Sequence, residues 1–258
     1  MVNVEWPAED YAIGSYIQAI IADQYLEKLP IKPADHILDV GCGDGSYTTK
    51  ILKKIPEGKL VGIDRSLNML QLARQKTATY PQFSVRQMDV LTMDYHDLFD
   101  YVVSFWCLQW CDDLARAYQK IYQALKPGGK LFTIIPSGDN DPFLDSIKAV
   151  ISEGNFPELQ QFKPPVDFMK HRELPNFIAR LPFKTAEVEI KKHAIRLPSL
   201  DIFRKFVNGL AYFQGQIPDA LIAKLNEAIV HAYDLDCQRK HHGEYWFYIS
   251  VYLVVANK

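Results

Sequence analysis

The chain has 258 residues, with 29 Lys and Arg against 31 Asp and Glu, and so a formal charge of 29 − 31 = −2. This near-neutral balance makes nucleic acid a poor default partner, because proteins that bind phosphate backbones usually carry a basic excess. The hydrophobic fraction of 48% and the aromatic fraction of 12% exclude disorder. A chain of this size can build a full core without disulfide or metal staples.

The N-terminal residues and the cysteines indicate an intracellular protein. Glu5, Glu9 and Asp10 stand where a signal peptide would carry basic residues, and no apolar run approaches the roughly 20 residues of a membrane-spanning helix. Cys107 and Cys111 lie close in sequence, but no further ligand cluster accompanies them, so no metal site is predicted. We therefore expect a cytoplasmic protein with reduced thiols and no membrane partner.

The first half of the chain alternates short apolar runs with helical patterns. Lys126–Gly129 is predicted as a turn that breaks a helix and precedes another strand. Strands joined by helices of about ten to fifteen residues imply right-handed crossovers and a parallel, doubly wound α/β sheet. The predicted strands lie at 37–40, 59–64, 83–88, 100–105 and 130–135, and helices are predicted at 47–55, from 66 onward and at 113–125.

The second half has a different pattern. Prolines interrupt short helical stretches in residues 139–182, and later alternation predicts strands at 185–195 and 244–256. These strands are expected to extend the edge of the first sheet, the last one antiparallel. We therefore predict a single domain over residues 1–258. It would have an N-terminal helical cover at 1–30 and two helical insertions, at 139–182 and 199–243, that form a substrate lid.

A glycine-rich turn follows the first predicted strand, in the segment Asp39–Gly45 (DVGCGDG). Parallel sheets bind ligands at the carboxyl ends of their strands, and glycine lets a ligand approach the backbone. A dinucleotide fingerprint would need a third glycine where Ser46 or Thr48 stands, and the Gly-Lys-Ser/Thr of a phosphate-binding loop is absent. An acid two residues before the first glycine suits instead a ligand with an amino group.

Two more acids follow the next two strands. A carboxylate at Asp64 can accept hydrogen bonds from both hydroxyls of a ribose, and one at Asp89 can accept from the exocyclic amine of adenine. Together with Asp39 they match adenine, ribose and an ammonium group without phosphate, which describes S-adenosylmethionine. One such acid is more often a helix cap or a solvated strand end, but three beside a glycine turn favour the ligand.

The segment Ile37–Gly45 resembles motif I of the class I S-adenosylmethionine-dependent methyltransferases. Val61–Asp64 is similar to their acidic second-strand motif, and Leu125–Gly129 to the turn before their fifth strand. The resemblance covers residues 33–136. It implies a doubly wound seven-stranded α/β sheet in the order 3-2-1-4-5-7-6, with one strand antiparallel, and helical insertions. Together with the acids above, it predicts cofactor contacts from Asp39, Gly41, Cys42, Gly43, Asp64, Arg65, Met69, Asp89, Val90 and Phe105.

The resemblance also implies positions for some of these residues and for Trp106. Arg65 and Met69 would flank the ribose and the adenine, and Val90 would offer a backbone amide to the ring. Phe105 and Trp106 would border the methionine part of the cofactor.

Two segments narrow the methyl acceptor to a small molecule. Phe105–Trp110 follows the fourth strand, and the helical stretch Tyr11–Leu26 carries Gln18. Both resemble the branch that methylates small carboxylic acids, the trans-aconitate and juvenile hormone acid methyltransferases. The resemblance implies that Trp110 and Gln18 hold the substrate carboxylate. Because a carboxylate is already anionic at neutral pH, forming its methyl ester needs no general base.

Other functions stay open. A phenol, amine or carbanion acceptor would need a base, for which histidines and aspartates are available, and a protein that binds the cofactor without catalysis is a further alternative. Methylation of nucleic acid bases would need an Asn/Asp-Pro-Pro-Tyr-type tetrad where this chain has Ser104–Cys107. The sequence indicates no oligomeric state. The candidate histidine bases are His231, His241 and His242.

Overall fold

The structure, a computed structural model, describes residues 15–258. The start of the predicted N-terminal cover, including Tyr11, therefore lies outside the described residues. The strands form one seven-stranded sheet in the order β3-β2-β1-β4-β5-β7-β6. Their bounds are β1 His36–Val40, β2 Lys59–Asp64, β3 Phe83–Gln87, β4 Phe99–Phe105, β5 Leu125–Pro136, β6 Thr185–Arg196 and β7 Trp246–Asn257.

The pairing of the strands confirms the predicted fold class. β1 pairs in parallel with β2 and β4, and the parallel ladder extends to β3 on one side and β5 on the other. β7 runs antiparallel to β5, from Lys130 opposite Asn257 to Pro136 opposite Val251. The carboxyl ends of β1, β2, β3 and β4 therefore meet at one edge of the sheet, where open parallel sheets bind their ligands.

Helices connect the strands, and one of them is shorter than predicted. The second helix ends at Leu52 instead of Ile55, because the amides of Lys54 and Ile55 bond three residues back, to the carbonyls of Ile51 and Leu52. Pro56 disfavours helical backbone in the residue before it. The helices are α1 Tyr16–Leu26, α2 Ser46–Leu52, α3 Leu67–Lys76, α4 Leu114–Ala124, α5 Pro142–Glu153, α6 Phe168–His171, α7 Leu174–Ala179, α8 Leu200–Gly209 and α9 Asp219–His241, with 3₁₀ turns at Leu108–Trp110 and Pro157–Gln161.

The residues of the predicted turn, Lys126–Gly129, form a loop within the bounds of β5 and do not pair with β4. Phe99 pairs with Leu125, but Tyr101 already pairs with Lys130, so the intervening residues leave the ladder. Gly128 has a φ of 79°, a conformation that glycine adopts at little cost. The loop is paired elsewhere, because the Gly128 amide donates to the Lys258 carbonyl at 2.8 Å and the Lys258 amide to the Gly129 carbonyl at 2.9 Å.

Residue contacts divide the chain into two compact units. The sheet unit comprises residues 22–137, 166–191 and 251–258, and of the described residues the helical unit comprises 15–21, 138–165 and 192–250. The predicted insertion at 139–182 is thus divided, since its last part belongs to the sheet unit. The reason is the apolar face of α7, whose Leu174 and Ile178 are buried in a core cluster with Tyr118 and Ile121 of α4. That the insertions form a lid stays a prediction.

The helical unit has its own aromatic core. Phe143 makes edge-to-face contacts with Phe206 and Tyr212, and Phe203 stacks on Tyr233 with 3.8 Å between ring centroids. Such pairs add to the stabilisation that burial provides. Within the described residues, no helix is long and apolar enough to cross a membrane.

Candidate active site

The glycine turn joins β1 to α2 and is held against β2. The amides of Gly41 and Cys42 both donate to the Ile63 carbonyl, at 2.8 and 3.0 Å. A Cβ on Gly41 would lie 2.1 Å from Cys107 Sγ, so only glycine fits where the turn contacts the segment after β4. A Cβ on Gly43, whose φ is 53°, would meet no described atom within 4 Å. The turn therefore leaves open space at Gly43, where a ligand can approach the backbone.

Asp64 lies at the end of β2 and faces the same turn. Its Oδ2 accepts a hydrogen bond from the Gly43 amide and its Oδ1 one from the Ser66 amide, both at 2.9 Å. Each carboxylate oxygen can accept more than one hydrogen bond. The geometry is compatible with ribose hydroxyls bound by a carboxylate that two amides hold in place, and this role of Asp64 stays a prediction.

Arg65 and Asp89 bring the ends of β2 and β3 together. The Asp89 carboxylate accepts from the Leu91 amide at 2.8 Å, and its other oxygen lies 3.5 Å from Arg65 Nε, with both side chains partly exposed. Met69 and Val90 are buried in the same unit. The predicted roles of these four residues at the ribose and adenine are compatible with this arrangement but are not tested by it.

Asp39 is almost completely buried. Its side chain is 2% exposed, and its Oδ2 accepts a hydrogen bond from the Thr48 hydroxyl at 2.6 Å. Burial raises the pKa of the Asp39 carboxyl to about 7, and the negative charge of Asp64 adds to this, while the Thr48 bond opposes it. Asp39 therefore ties β1 to α2 in addition to the ammonium contact that the sequence predicts.

Asp44 organises the turn and was not singled out in the sequence. Its carboxylate accepts from the Ser46 amide at 3.1 Å and from the Ser46 hydroxyl at 3.0 Å, and it forms an ion pair with Lys76 of α3. An aspartate two residues before the first residue of a helix is a common local turn signal. The partner Lys76, which is 32 residues away, could not be found from that signal.

Cys42 lies between the glycine turn and β2. A Cβ on Gly62 would come within 2.8 Å of Cys42 Sγ, so the thiol packs directly on the β2 backbone. Burial raises the pKa of the Cys42 thiol well above its usual value, followed by the negative charges of Asp39 and Asp64. Any contact of Cys42 with a ligand is thus expected from its backbone rather than from a thiolate.

The segment after β4 adjoins the glycine turn. Phe105 packs against Tyr47 and Phe132, with ring centroids 5.1 and 5.7 Å apart. Trp106 is buried and has a φ of 57°, and the following 3₁₀ turn ends at the partly buried Trp110. Cys107 of this segment lies against Gly41 of the predicted cofactor-binding turn. Trp110 is three residues further along the chain.

The two predicted carboxylate-binding residues belong to different units. Gln18 lies in α1 within the helical unit and is buried, whereas Trp110 lies in the sheet unit. Their joint role stays a prediction. Of the alternative histidine bases, His231 and His242 are exposed, and His241 is partly exposed at the end of α9.

Comparisons with known proteins agree with this geometry. Residues 37–129 match a family model described as a methyltransferase domain. The chain is 30% identical to a trans-aconitate 2-methyltransferase of Variovorax paradoxus, with 53% of this chain and 52% of that protein covered. It is 34% identical to malonyl-[acyl-carrier protein] O-methyltransferase 1 of Ilyobacter polytropus, with 50% and 48% covered. The chain thus spans about half the length of the curated relatives it matches.

Among solved structures, the fold is similar to phosphoethanolamine N-methyltransferase 2 of Haemonchus contortus in complex with S-adenosyl-L-methionine. The TM-score is 0.57 at 18% identity, with 93% of this chain and 52% of that chain covered. At this identity the similarity shows the fold alone.

The sheet order and the matched domain together define a class of protein. Residues 37–129 match the methyltransferase domain model, and the sheet order agrees with the class I, S-adenosylmethionine-dependent form that the sequence predicts. The cofactor of this class is S-adenosylmethionine, and the open space at Gly43 beside Asp64 fits it.

Proposed function

We propose that this protein transfers the methyl group of S-adenosylmethionine to the carboxylate of a small molecule or acyl group and forms a methyl ester. One observation carries the proposal. The segment that ends in Trp110 contacts the glycine turn through Cys107 and Gly41, at the same edge of the sheet as Asp64. The names of the two relatives, which both describe methylation of carboxylic acids, support the same acceptor.

The chain's own residues have a limited task in such a reaction. The bound cofactor supplies an electrophilic sulfonium methyl group. The Trp110 indole and the Gln18 amide would each donate a hydrogen bond to the acceptor carboxylate and aim one of its oxygens at the methyl group. Neutral donors of this kind hold the carboxylate without suppressing its nucleophilicity as a cation would. The buried rings of Phe105 and Trp106 would exclude water from this side.

The first experiment measures binding and turnover separately. Titration calorimetry with S-adenosylmethionine tests the cofactor, and a panel of fatty, terpenoid and polycarboxylic acids and malonyl thioesters is then assayed for methyl esters. Binding without product from any acid would contradict the carboxylate proposal. A product from a phenol or amine, with a kinetic pKa near 6.5, would indicate a histidine base instead.

Trp110 gives the sharper test. Trp110→Phe keeps an aromatic ring but removes the indole N–H, so turnover of the acid should fall about 10- to 100-fold while cofactor affinity stays unchanged. Trp246→Phe is the matched control, because the Trp246 indole donates to Glu244 within the helical unit. Equal turnover in the Trp110 variant and the control would remove the support for a carboxylate held by Trp110.

A further inference from the structure

We propose that Gln109 is a positioning residue of the acceptor site, whose buried side chain holds the segment that carries Trp106 and Trp110. The importance of this segment for methyl transfer rests on the proposed function. The positioning itself is a property of the sheet unit and can be measured without turnover.

The first support is the conformation of Trp106. Its φ of 57° places a bulky residue in the left-handed region, which side chains other than glycine rarely adopt. Its amide donates to the Ile134 carbonyl of β5 at 3.1 Å, and its carbonyl accepts from Gln109 Nε2 at 2.8 Å. Both polar backbone groups of this strained residue are therefore held, one by the sheet and one by Gln109. Strain of this kind persists only where the surroundings enforce it, and it concentrates at functional sites.

The second support is the burial of Gln109. The residue is 6% exposed, and its Oε1 has no hydrogen-bond partner among the described residues. A buried amide oxygen without a partner is unfavourable, so an apolar side chain of the same size would suit packing alone better. The bond from Nε2 to Trp106 is what glutamine adds at this position.

The third support is a pair of hydrogen bonds that His171 makes, one of them to the backbone of the same segment. His171 is 3% exposed, and its Nδ1 lies 2.8 Å from the Pro136 carbonyl at the end of β5. The backbone of Gln109 hydrogen-bonds the same imidazole. The segment is thus tied to β5 at Ile134 and again through His171. Loss of the Gln109 side chain should therefore release Trp106 locally and leave the sheet in place.

The test compares Gln109→Met with Gln119→Met. Methionine matches glutamine in size but cannot donate, and Gln119 is an exposed residue of the neighbouring helix α4. Labelling with 5-fluorotryptophan yields a separate ¹⁹F signal for each of the four tryptophans, assigned by single Trp→Phe variants. The signals of Trp106 and Trp110 should shift or broaden in the Gln109 variant, while the Trp246 signal stays in place.

Kinetics provide the second measurement. With an acid that the protein methylates, Gln109→Met should lower kcat/KM about tenfold, mainly through KM, while affinity for S-adenosylmethionine changes less than about twofold. Gln109→His should restore much of the loss, since its Nε2 proton can reach the Trp106 carbonyl. Should the methionine variant fail to fold, Gln109→Asn, which is too short to reach that carbonyl, replaces it.

The outcomes separate the two proposals. Unchanged Trp106 and Trp110 signals would overturn the inference, as would equal changes in the Gln119 control or a shift of all four signals. If no acid is methylated, the proposed function fails, and the fluorine signals alone then decide whether Gln109 positions the segment.

Discussion

At the scale of single residues, the candidate site contains acids whose environments differ. Asp64 is held by two amides at the end of β2, whereas Asp39 is buried and bonded to one hydroxyl. Burial raises the pKa of the Asp39 carboxyl to about 7. Ionisation of Asp39 therefore costs the folded protein stability unless a cation lies beside it.

This leads to a prediction for Asp39→Asn. Because the Asp39 pKa is about 7 in the folded state and near 4 when unfolded, only the unfolded chain loses the proton between these values. Wild-type stability should therefore fall as pH rises from about 4 to about 7, and this slope should be missing in the variant. Relative to wild type, the variant should gain about 1–4 kcal/mol of stability between pH 5 and pH 8, because one pKa unit corresponds to about 1.4 kcal/mol. Urea unfolding at pH 5 and pH 8 measures this difference.

The same variant tests the predicted ammonium contact. Loss of the charge should weaken S-adenosylmethionine binding about tenfold or more. Asp94→Asn is the control, because Asp94 is largely exposed at 82% of its side chain. An identical pH dependence of stability in wild type and Asp39→Asn would contradict the assignment of the slope to Asp39.

At the scale of elements, the start of α3 links helix formation to the site. The Ser66 hydroxyl caps the helix by accepting from the Met69 amide at 3.3 Å, while the Ser66 amide holds Asp64. One residue thus performs two functions with two different groups. The backbone of Ser66, with φ −80° and ψ 121°, is of the kind that proline also adopts, and Pro218 occupies the equivalent position before α9.

Two substitutions separate these functions. Ser66→Ala removes the capping hydroxyl but keeps the amide, and it should cost about 1 kcal/mol of stability with little change in cofactor affinity. Ser66→Pro removes the cap and the amide donor, so Asp64 loses the bond from the Ser66 amide, and affinity should fall about tenfold. Calorimetric titration of both variants measures the difference. Equal affinities would show that the amide of Ser66 does not position Asp64 for the ligand.

At the scale of the whole molecule, Lys258 ties the last strand to the connection between β4 and β5. Its Nζ donates to Asp97 at 2.7 Å and to the carbonyls of Tyr122 and Leu125 at 3.0 and 2.7 Å. It also lies 4.5 Å from the Tyr122 ring centroid. These contacts join residues far apart in the sequence. They attach the end of the antiparallel strand β7 to the rest of the sheet unit.

We therefore expect Lys258→Met to destabilise the protein. The Lys258 side chain is 14% exposed, so its loss leaves two carbonyls poorly hydrated, and the free energy of unfolding should fall by about 2–4 kcal/mol. Lys148→Met, at a position that is 72% exposed, should change it by less than about 0.5 kcal/mol. Denaturant unfolding measures both, and a loss in the control as large as in Lys258→Met would contradict a special role for Lys258.

The sequence by itself determined the class of fold, and it predicted the edge of the sheet for the candidate site. The apolar runs, the glycine turn and the acids after successive strands are local patterns. Such patterns can be read from the sequence, because they involve residues that are neighbours in the chain. The order of the strands followed from the resemblance of these segments to a known family, and the observed pairing confirms it.

Only the tertiary structure decided which distant residues meet. The contact of Gly41 with Cys107, the pair of Asp44 and Lys76, and the loop of Gly128 bound by Lys258 join residues that no local pattern connects. The pKa of Asp39 and the burial of Gln109 likewise depend on packing by elements far along the chain. Such contacts arise when the sheet assembles, because burial and electrostatic fields are properties of the packed chain and not of a segment.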